Sequence, residues 1–351
     1  MIVCRVMNMR PRKMSESSTA VHALQRAPES IAALLKSAGD PLRLQILRVL
    51  SNNAFGALEL SDIFAMRQNA MSHHLKLLSK SALVNSRREG THIFYRRSTQ
   101  QGQCRELFEA IFGAADSLEL PADVARRCDE IQEARAATSR EFFRTNADKF
   151  REQQDLIASY PQYGEAVLAT LDNHRPLENK TVLEVGPGEG ELLPGLCGRF
   201  GRVVAVDNSA EMLARSPAFA AANGLRDVHF ILGDTASAML GDVGCDAITL
   251  NMVLHHTPAP AAIIQDLAAR LNDNGVLVIT ELCHHDQDWA REACGDLWLG
   301  FEPEELGRWA ATAGLEDAGS EFLALKNGFS IQIRQFRRPK TPGPHPLTRV
   351  N

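Results

Sequence analysis

The chain lacks the marks of a secreted or membrane protein. Its seven cysteines (Cys4, Cys104, Cys128, Cys197, Cys245, Cys283 and Cys294) are odd in number, scattered, and never form a C-x-x-C pair. That usage suits free thiols in a reducing compartment and argues against a disulfide framework. No run of about 18 apolar residues exists, so no spanning helix is expected. Met1–Met14 contains Ile2-Val3-Cys4 but no apolar core of the signal-peptide kind, and Met7, Met9 and Met14 are alternative starts. A cytoplasmic location is expected. Strong charge is also missing: the net charge is -5.

What is present suffices for two cores. With 351 residues and 44% hydrophobic content, the chain exceeds the roughly 100–200 residues of a typical domain. Charge is unevenly spread. Residues 28–100 carry ten basic side chains against five acidic, about +5, which leaves about -10 for the rest. Such asymmetry suggests an anionic partner for one half.

In that basic half, Ile31–Lys36 opens a helical pattern that stops at Gly39-Asp40-Pro41, where Asp40 can cap and Pro41 can occupy the first position of the next helix, Leu42–Leu50. Leu58–Met66 reads as a short helix. After a break at Arg67-Gln68 comes Asn69–Lys80, with Ala70, Met71, Leu75 and Leu78 facing inward. Two β-type runs, Leu83–Arg88 and Thr91–Arg96, flank Glu89-Gly90. Helix, short helix, turn, helix and hairpin make an α+β winged helix-turn-helix domain. Gln68, Asn69, Ser72, His73 and Lys76 form the polar face of its recognition helix, able to meet base edges or phosphates of double-stranded DNA. Arg87, Arg88, Arg96 and Arg97 are expected to put cations on the wing.

Three phrases, Gly39-Asp-Pro-Leu-Arg-Leu-Gln-Ile-Leu47, Ser72-His-His-Leu-Lys-Leu-Leu78 and Arg87-Arg-Glu-Gly-Thr91 with Tyr95, resemble the ArsR/SmtB family of bacterial repressors. The resemblance implies a homodimer on a near-palindromic operator. The family's metal sensors use a Cys-x-Cys on the third helix or Asp and His ligands on the last. Leu58-Glu-Leu-Ser-Asp62 has no thiol and Cys104 stands alone, so metal or arsenic sensing is disfavoured. Cys104–Ala115 is an apolar-faced helix that either joins a dimer interface or packs within its own domain. Ala122–Ala147 is charge-rich and reads as a connecting helix without a strong apolar face.

The larger half is organised around Thr181-Val-Leu-Glu-Val-Gly-Pro-Gly-Glu-Gly190, a buried strand running into a glycine turn. Gly186, Gly188 and Gly190 allow close backbone approach and positive φ. Asp207 ends the next apolar strand about twenty residues on, where a carboxylate accepts ribose hydroxyls in nucleotide-type βαβ units. A dinucleotide site wants G-x-G-x-x-G, and Glu191 stands where its third glycine should be.

G-x-G-x-G preceded by Glu184 resembles motif I of class I S-adenosylmethionine (SAM) methyltransferases. The resemblance implies a doubly wound, Rossmann-like α/β domain with SAM as cofactor, or S-adenosylhomocysteine (SAH) as an effector. It carries further positions over: Gly233 and Asp234 toward the adenine amine, Asn208 and Met212 flanking the adenosine, and Asn251 near the methyl-donor end. His255 or His256 is either a base for the acceptor or a packed, hydrogen-bonded histidine. Phe142, Phe143, Phe150, Tyr160 and Tyr163 either lid the pocket or serve helix packing. Trp289, Gly295–Phe301 and Pro303–Leu306 resemble the C-terminal segment of methyltransferases fused to ArsR-type repressors and are expected to wall the acceptor side. Cys283-His-His-Asp286 gathers metal-ligand types, but adjacent residues after a strand point alternately, so no metal is expected. The cysteine sets of arsenite methyltransferases do not map here. The Asn/Asp-Pro-Pro-aromatic motif of nucleic-acid methyltransferases is replaced by Asn251-Met-Val-Leu254.

The expected organisation is a leader (1–27), winged helix (28–118), helical linker (119–149), methyltransferase-fold domain (150–338) and loose tail (339–351). The expected function is a dimeric, DNA-binding transcriptional repressor whose second domain methylates a small molecule. The alternative is a catalytically weak SAM or SAH sensor whose ligand controls operator binding.

Overall fold

The structure, a computed structural model, describes residues 28–89, 91–99, 104–241 and 244–340. The expected leader, Gly90 of the wing turn and residues 341–351 of the expected tail lie outside the described residues. The chain divides into two compact units, the first reaching Val124 but without residues 88–93, which group with the second.

In the first unit, α1 (Pro28–Ala38) is followed by α2 (Pro41–Val49). Asp40 caps α2 by accepting the Arg43 N–H at 3.0 Å, and Pro41 needs no partner for the donor it lacks. Next come β1 (Phe55–Gly56), α3 (Ala57–Ile63) and α4 (Gln68–Lys80). The hairpin is β2 (Val84–Glu89) and β3 (His92–Arg97), and the three strands pair in the order β1-β3-β2. α5 (Arg105–Asp116) completes the unit. Ile46, Leu47, Leu60, Ile63, Leu75 and Leu78 are fully buried, each contributing about 1.5–3 kcal/mol of apolar burial. Ala70 is exposed rather than inward: the buried stripe of α4 is Met71, Leu75 and Leu78, and Ala70 lies a hundred degrees off it. On α5, Phe108, Ile111 and Ala115 are buried within the unit.

The second unit begins along α6, a helix that runs unbroken from Ala122 to Ile157. It continues through α7 (Tyr160–Asp172), β4 (Thr181–Val185), α8 (Leu193–Cys197), β5 (Arg202–Asp207), α9 (Ala210–Leu213) and α10 (Arg215–Ala222). Then follow β6 (Val228–Leu232), β7 (Cys245–Asn251), α11 (Pro260–Arg270), β8 (Leu271–Leu282) and α12 (Trp289–Cys294). α13 (Pro303–Thr312), β9 (Glu316–Ala324) and β10 (Ser330–Arg337) close it. The sheet order is β6-β5-β4-β7-β8-β10-β9. Neighbours from β6 to β8 are parallel, and β10 is antiparallel to both β8 and β9. This is a doubly wound sheet with an antiparallel edge. Its strand order reverses between β4 and β7, and the crevice beyond their carboxyl ends is where such sheets hold ligands.

Candidate functional site

In the second unit the glycine turn leaves β4 at that crevice. Gly186 has φ 66°, and a Cβ there would meet Val253 Cγ2 at 2.5 Å, so only glycine fits. Its N–H donates to Val206 O at 2.9 Å, tying the turn to β5. Gly190, φ 94°, packs against Leu193 and Phe219 behind the turn. Glu184 is buried at the end of β4, where Thr249 Oγ1 and Asn251 Nδ2 donate to its carboxylate. Burial pushes its pKa up to about 8 against those two donors. Asp207 ends β5 and accepts the Ser209 N–H at 2.9 Å, while burial lifts its carboxyl to about 6. Ser209 caps α9 and seats Met212. Asp234 is exposed, with Oδ1 accepting the Ala236 N–H at 3.1 Å.

These residues surround a pocket of about 400 Å³, within the range of small-ligand sites. Of the expected cofactor positions, Glu184, Gly186, Gly188, Asp207, Asn208, Met212, Gly233, Asp234 and Asn251 line it, whereas Gly190 does not. Of the two histidines, His256 lines it and His255 does not. His255 Nδ1 lies 2.8 Å from both Glu281 oxygens, and burial holds its imidazole down near pKa 3. A base for an acceptor must reach that acceptor, so the structure leaves His255 the packed, hydrogen-bonded role. The His256 ring meets Phe143 and Phe150 edge-on at 5.1 and 5.6 Å, and burial pushes its pKa well down. Met252, between strand and turn, adopts φ 55°, a strained value for a side chain with a Cβ, and is held by its N–H bond to Thr280 O at 2.8 Å.

One wall is only partly legible in the sequence, through Phe143 and Phe150. Glu133, Ala136, Arg140, Phe143, Ala147 and Phe150, at helical spacing on α6, all face the pocket. Because this stripe mixes charged and apolar residues, it leaves little hydrophobic periodicity to detect. Arg151, the residue after Phe150, pairs with Glu189 of the glycine turn and lies 3.0 Å from Glu191. Phe143, Phe150, Tyr160 and Tyr163 line the pocket; Phe142 packs beside Gly295. The expectation for Trp289, Gly295–Phe301 and Pro303–Leu306 is corrected, since none of them lines the pocket. Instead, Leu297 and Trp298 donate their N–H groups to His255 O at 2.8 and 3.1 Å, which buttresses the histidine turn from behind.

On α4 of the first unit, Gln68, Asn69, Ser72, His73 and Lys76 are all exposed along one face, opposite Met71, Leu75 and Leu78. Arg88 is exposed and Arg87 partly so. Arg96 and Arg97 are buried, contrary to expectation. Arg97 Nε donates to Leu47 O at 2.7 Å, and its two terminal nitrogens bond both Asp116 oxygens at 2.9 and 2.8 Å. Arg97 therefore fastens β3 to α2 and α5.

The family described as a methyltransferase domain matches residues 130–318, more than half of the chain. The family described as a helix-turn-helix domain matches residues 38–87. An uncharacterised helix-turn-helix-type transcriptional regulator of Methanocaldococcus jannaschii is 40% identical over 68 residues, 19% of this chain and 76% of that protein. An uncharacterised methyltransferase of Mycobacterium tuberculosis is 33% identical over 111 residues, 32% of this chain and 55% of that protein, so the match spans only about half of that relative. Among solved structures, magnesium protoporphyrin IX methyltransferase from Synechocystis with bound SAH is 20% identical, with a TM-score of 0.49 over 58% of this chain and 99% of that one. Among the described residues, no helix is long and apolar enough to cross a membrane. The chain belongs to the methyltransferase-domain family and carries, ahead of that domain, an ArsR/SmtB-type helix-turn-helix regulator domain.

Proposed function

We propose that the protein is a dimeric transcriptional repressor whose second domain binds SAM and transfers the methyl group to a small molecule. The observation that carries this reading is the meeting of Glu184, Gly186, Gly188, Asp207, Asn208 and Asn251 at one pocket. In it, Asp207 accepts the ribose hydroxyls, the glycine turn lets backbone approach the methionine end, and Asp234 meets the adenine amine. Asn208 and Met212 flank the adenosine. Gly190 and Gly233 shape the loops that carry these groups.

Methyl transfer is an in-line displacement. The acceptor's lone pair forms a bond to the methyl carbon while the carbon–sulfur bond breaks, and SAH leaves as a neutral thioether. Such a step needs alignment more than a covalent residue. His256, the histidine of the wall, hydrogen-bonds the acceptor's nucleophilic group and aligns it; His255 holds the turn in place. Gln68, Asn69, Ser72, His73 and Lys76 read and grip operator DNA from α4, with Arg87 and Arg88 on backbone phosphates.

The test is fluorescence anisotropy of DNA from the gene's own upstream region, titrated with full chain alone, with SAM and with SAH at fixed salt. Tight, salt-dependent binding is expected, indifferent to the two ligands within a few-fold. A shift of tenfold or more, about 1.4 kcal/mol of coupling, would replace the enzyme reading by a ligand sensor. Absence of DNA binding in every arm would refute the regulator.

A further inference from the structure

Burial of unpaired charge is costly enough that folded proteins rarely keep it uncompensated. Asp296 is 2% exposed, and neither of its carboxylate oxygens has a hydrogen-bond partner. It follows α12, and Gly295 before it takes a left-handed conformation, φ 74°, that turns the chain toward the His255-His256 turn. Asp296 Oδ1 lies 3.8 Å from His255 Nε2 and 3.6 Å from His256 Nδ1. Those separations are too long for hydrogen bonds. They are close to the roughly 3.4 Å that separates two ligand atoms sharing a tetrahedral ion with bonds near 2.05 Å. One ligand atom from each of the three residues lies within 4.8 Å of the others; His256 Nδ1 also lies 3.5 Å from Gly295 O, a contact that ligation would replace.

The second layer fits the same chemistry. Leu282 N–H donates to Glu281 Oε2 at 3.3 Å. The proposed arrangement has Glu281 accepting from His255 Nδ1–H at 2.8 Å, with the Nε2 lone pair facing Asp296. A carboxylate holding the far nitrogen of a metal-bound imidazole is a recurrent support of such sites. Phe143 and Phe150 fix the His256 ring from the side.

We propose that His255 Nε2, His256 Nδ1 and Asp296 Oδ1 bind a divalent first-row transition ion, zinc or a close relative, oriented by Glu281. Two imidazoles and one carboxylate suit Zn²⁺, Fe²⁺ or Co²⁺, whereas Mg²⁺ and Ca²⁺ favour oxygen-only sets. Three protein ligands leave a coordination position open. The site adjoins the pocket through His256, which belongs to both, and it stands independently of what that pocket binds.

The test uses the full chain stripped of metal by chelator dialysis and titrated with Co²⁺, followed by visible d–d absorption and by competition with Zn²⁺. Saturation at one ion per chain is expected, without a thiolate charge-transfer band, and with displacement by Zn²⁺. Asp296→Asn should abolish binding. Glu281→Gln, which keeps all three ligands, should weaken it by about 10–100-fold, and far-UV circular dichroism and Zn²⁺-dependent thermal stabilisation guard against reading misfolding as loss of a ligand. No stoichiometric binding by the unmodified chain, a thiolate band, or equal affinity in a folded Asp296→Asn variant would each overturn the proposal.

Discussion

At the scale of single residues, two side chains show how position sets chemistry. Asp207 accepts from Ser209 yet is buried enough that its pKa rises to about 6. Only the carboxylate can accept both ribose hydroxyls, so SAM affinity should be level above about pH 7 and fall about tenfold per unit below pH 6, measured by calorimetry across pH. Asp207→Asn should weaken binding and flatten that profile. The linked effect on stability has the opposite sense. A carboxyl raised in the folded state keeps its proton while the unfolded chain loses it, so ligand-free stability declines as pH rises from the ordinary aspartate range through 6. Arg97 is the second case. It bonds Leu47 O and Asp116 from a buried position, and Arg97→Ala should cost about 2 kcal/mol in chemical denaturation while leaving the exposed α4 side chains in place.

At the scale of elements, α4 separates folding from recognition within one turn. Leu75→Ala, at a fully buried position, should cost about 2–5 kcal/mol, read in urea unfolding. Its neighbour Lys76 is exposed. Lys76→Ala should leave stability unchanged while reducing the slope of log affinity against log salt by about 1. Elements with strong period or punctuation were readable beforehand: Asp40-Pro41 opens α2, and the glycine turn follows β4. Others carried no such signal. The run Ser209–Ala222 holds two helices, with Pro217 in the first turn of the second. β9 begins at Glu316, earlier than its apolar residues suggest, because nearly every side chain of this edge strand is exposed and alternation is blunted. The pocket stripe of α6 is only partly legible: Phe143 and Phe150 stand out, but Glu133 and Arg140, earlier on the same face, carry no apolar signal.

At the scale of the whole molecule, the two-module plan was legible because each module announces itself through backbone demands: a capped helix pair and hairpin in one, a strand, glycine turn and acid in the other. Contacts between distant segments were not. Asp296 meets His255 and His256 only because Leu297 and Trp298 bond back to the histidine turn, and nothing in their sequence spacing encodes that. The central claim is that the Gly186–Asp207 pocket holds SAM in a chain that also carries a DNA-binding domain. The most direct test is isothermal calorimetry of SAM and SAH into the full chain beside Gly186→Val, whose side chain would collide with Val253 at a position of φ 66°. Binding of one ligand per chain, lost in Gly186→Val while that variant still binds DNA, is the expected result. Equal binding by both proteins, or none by the unmodified chain, would contradict it.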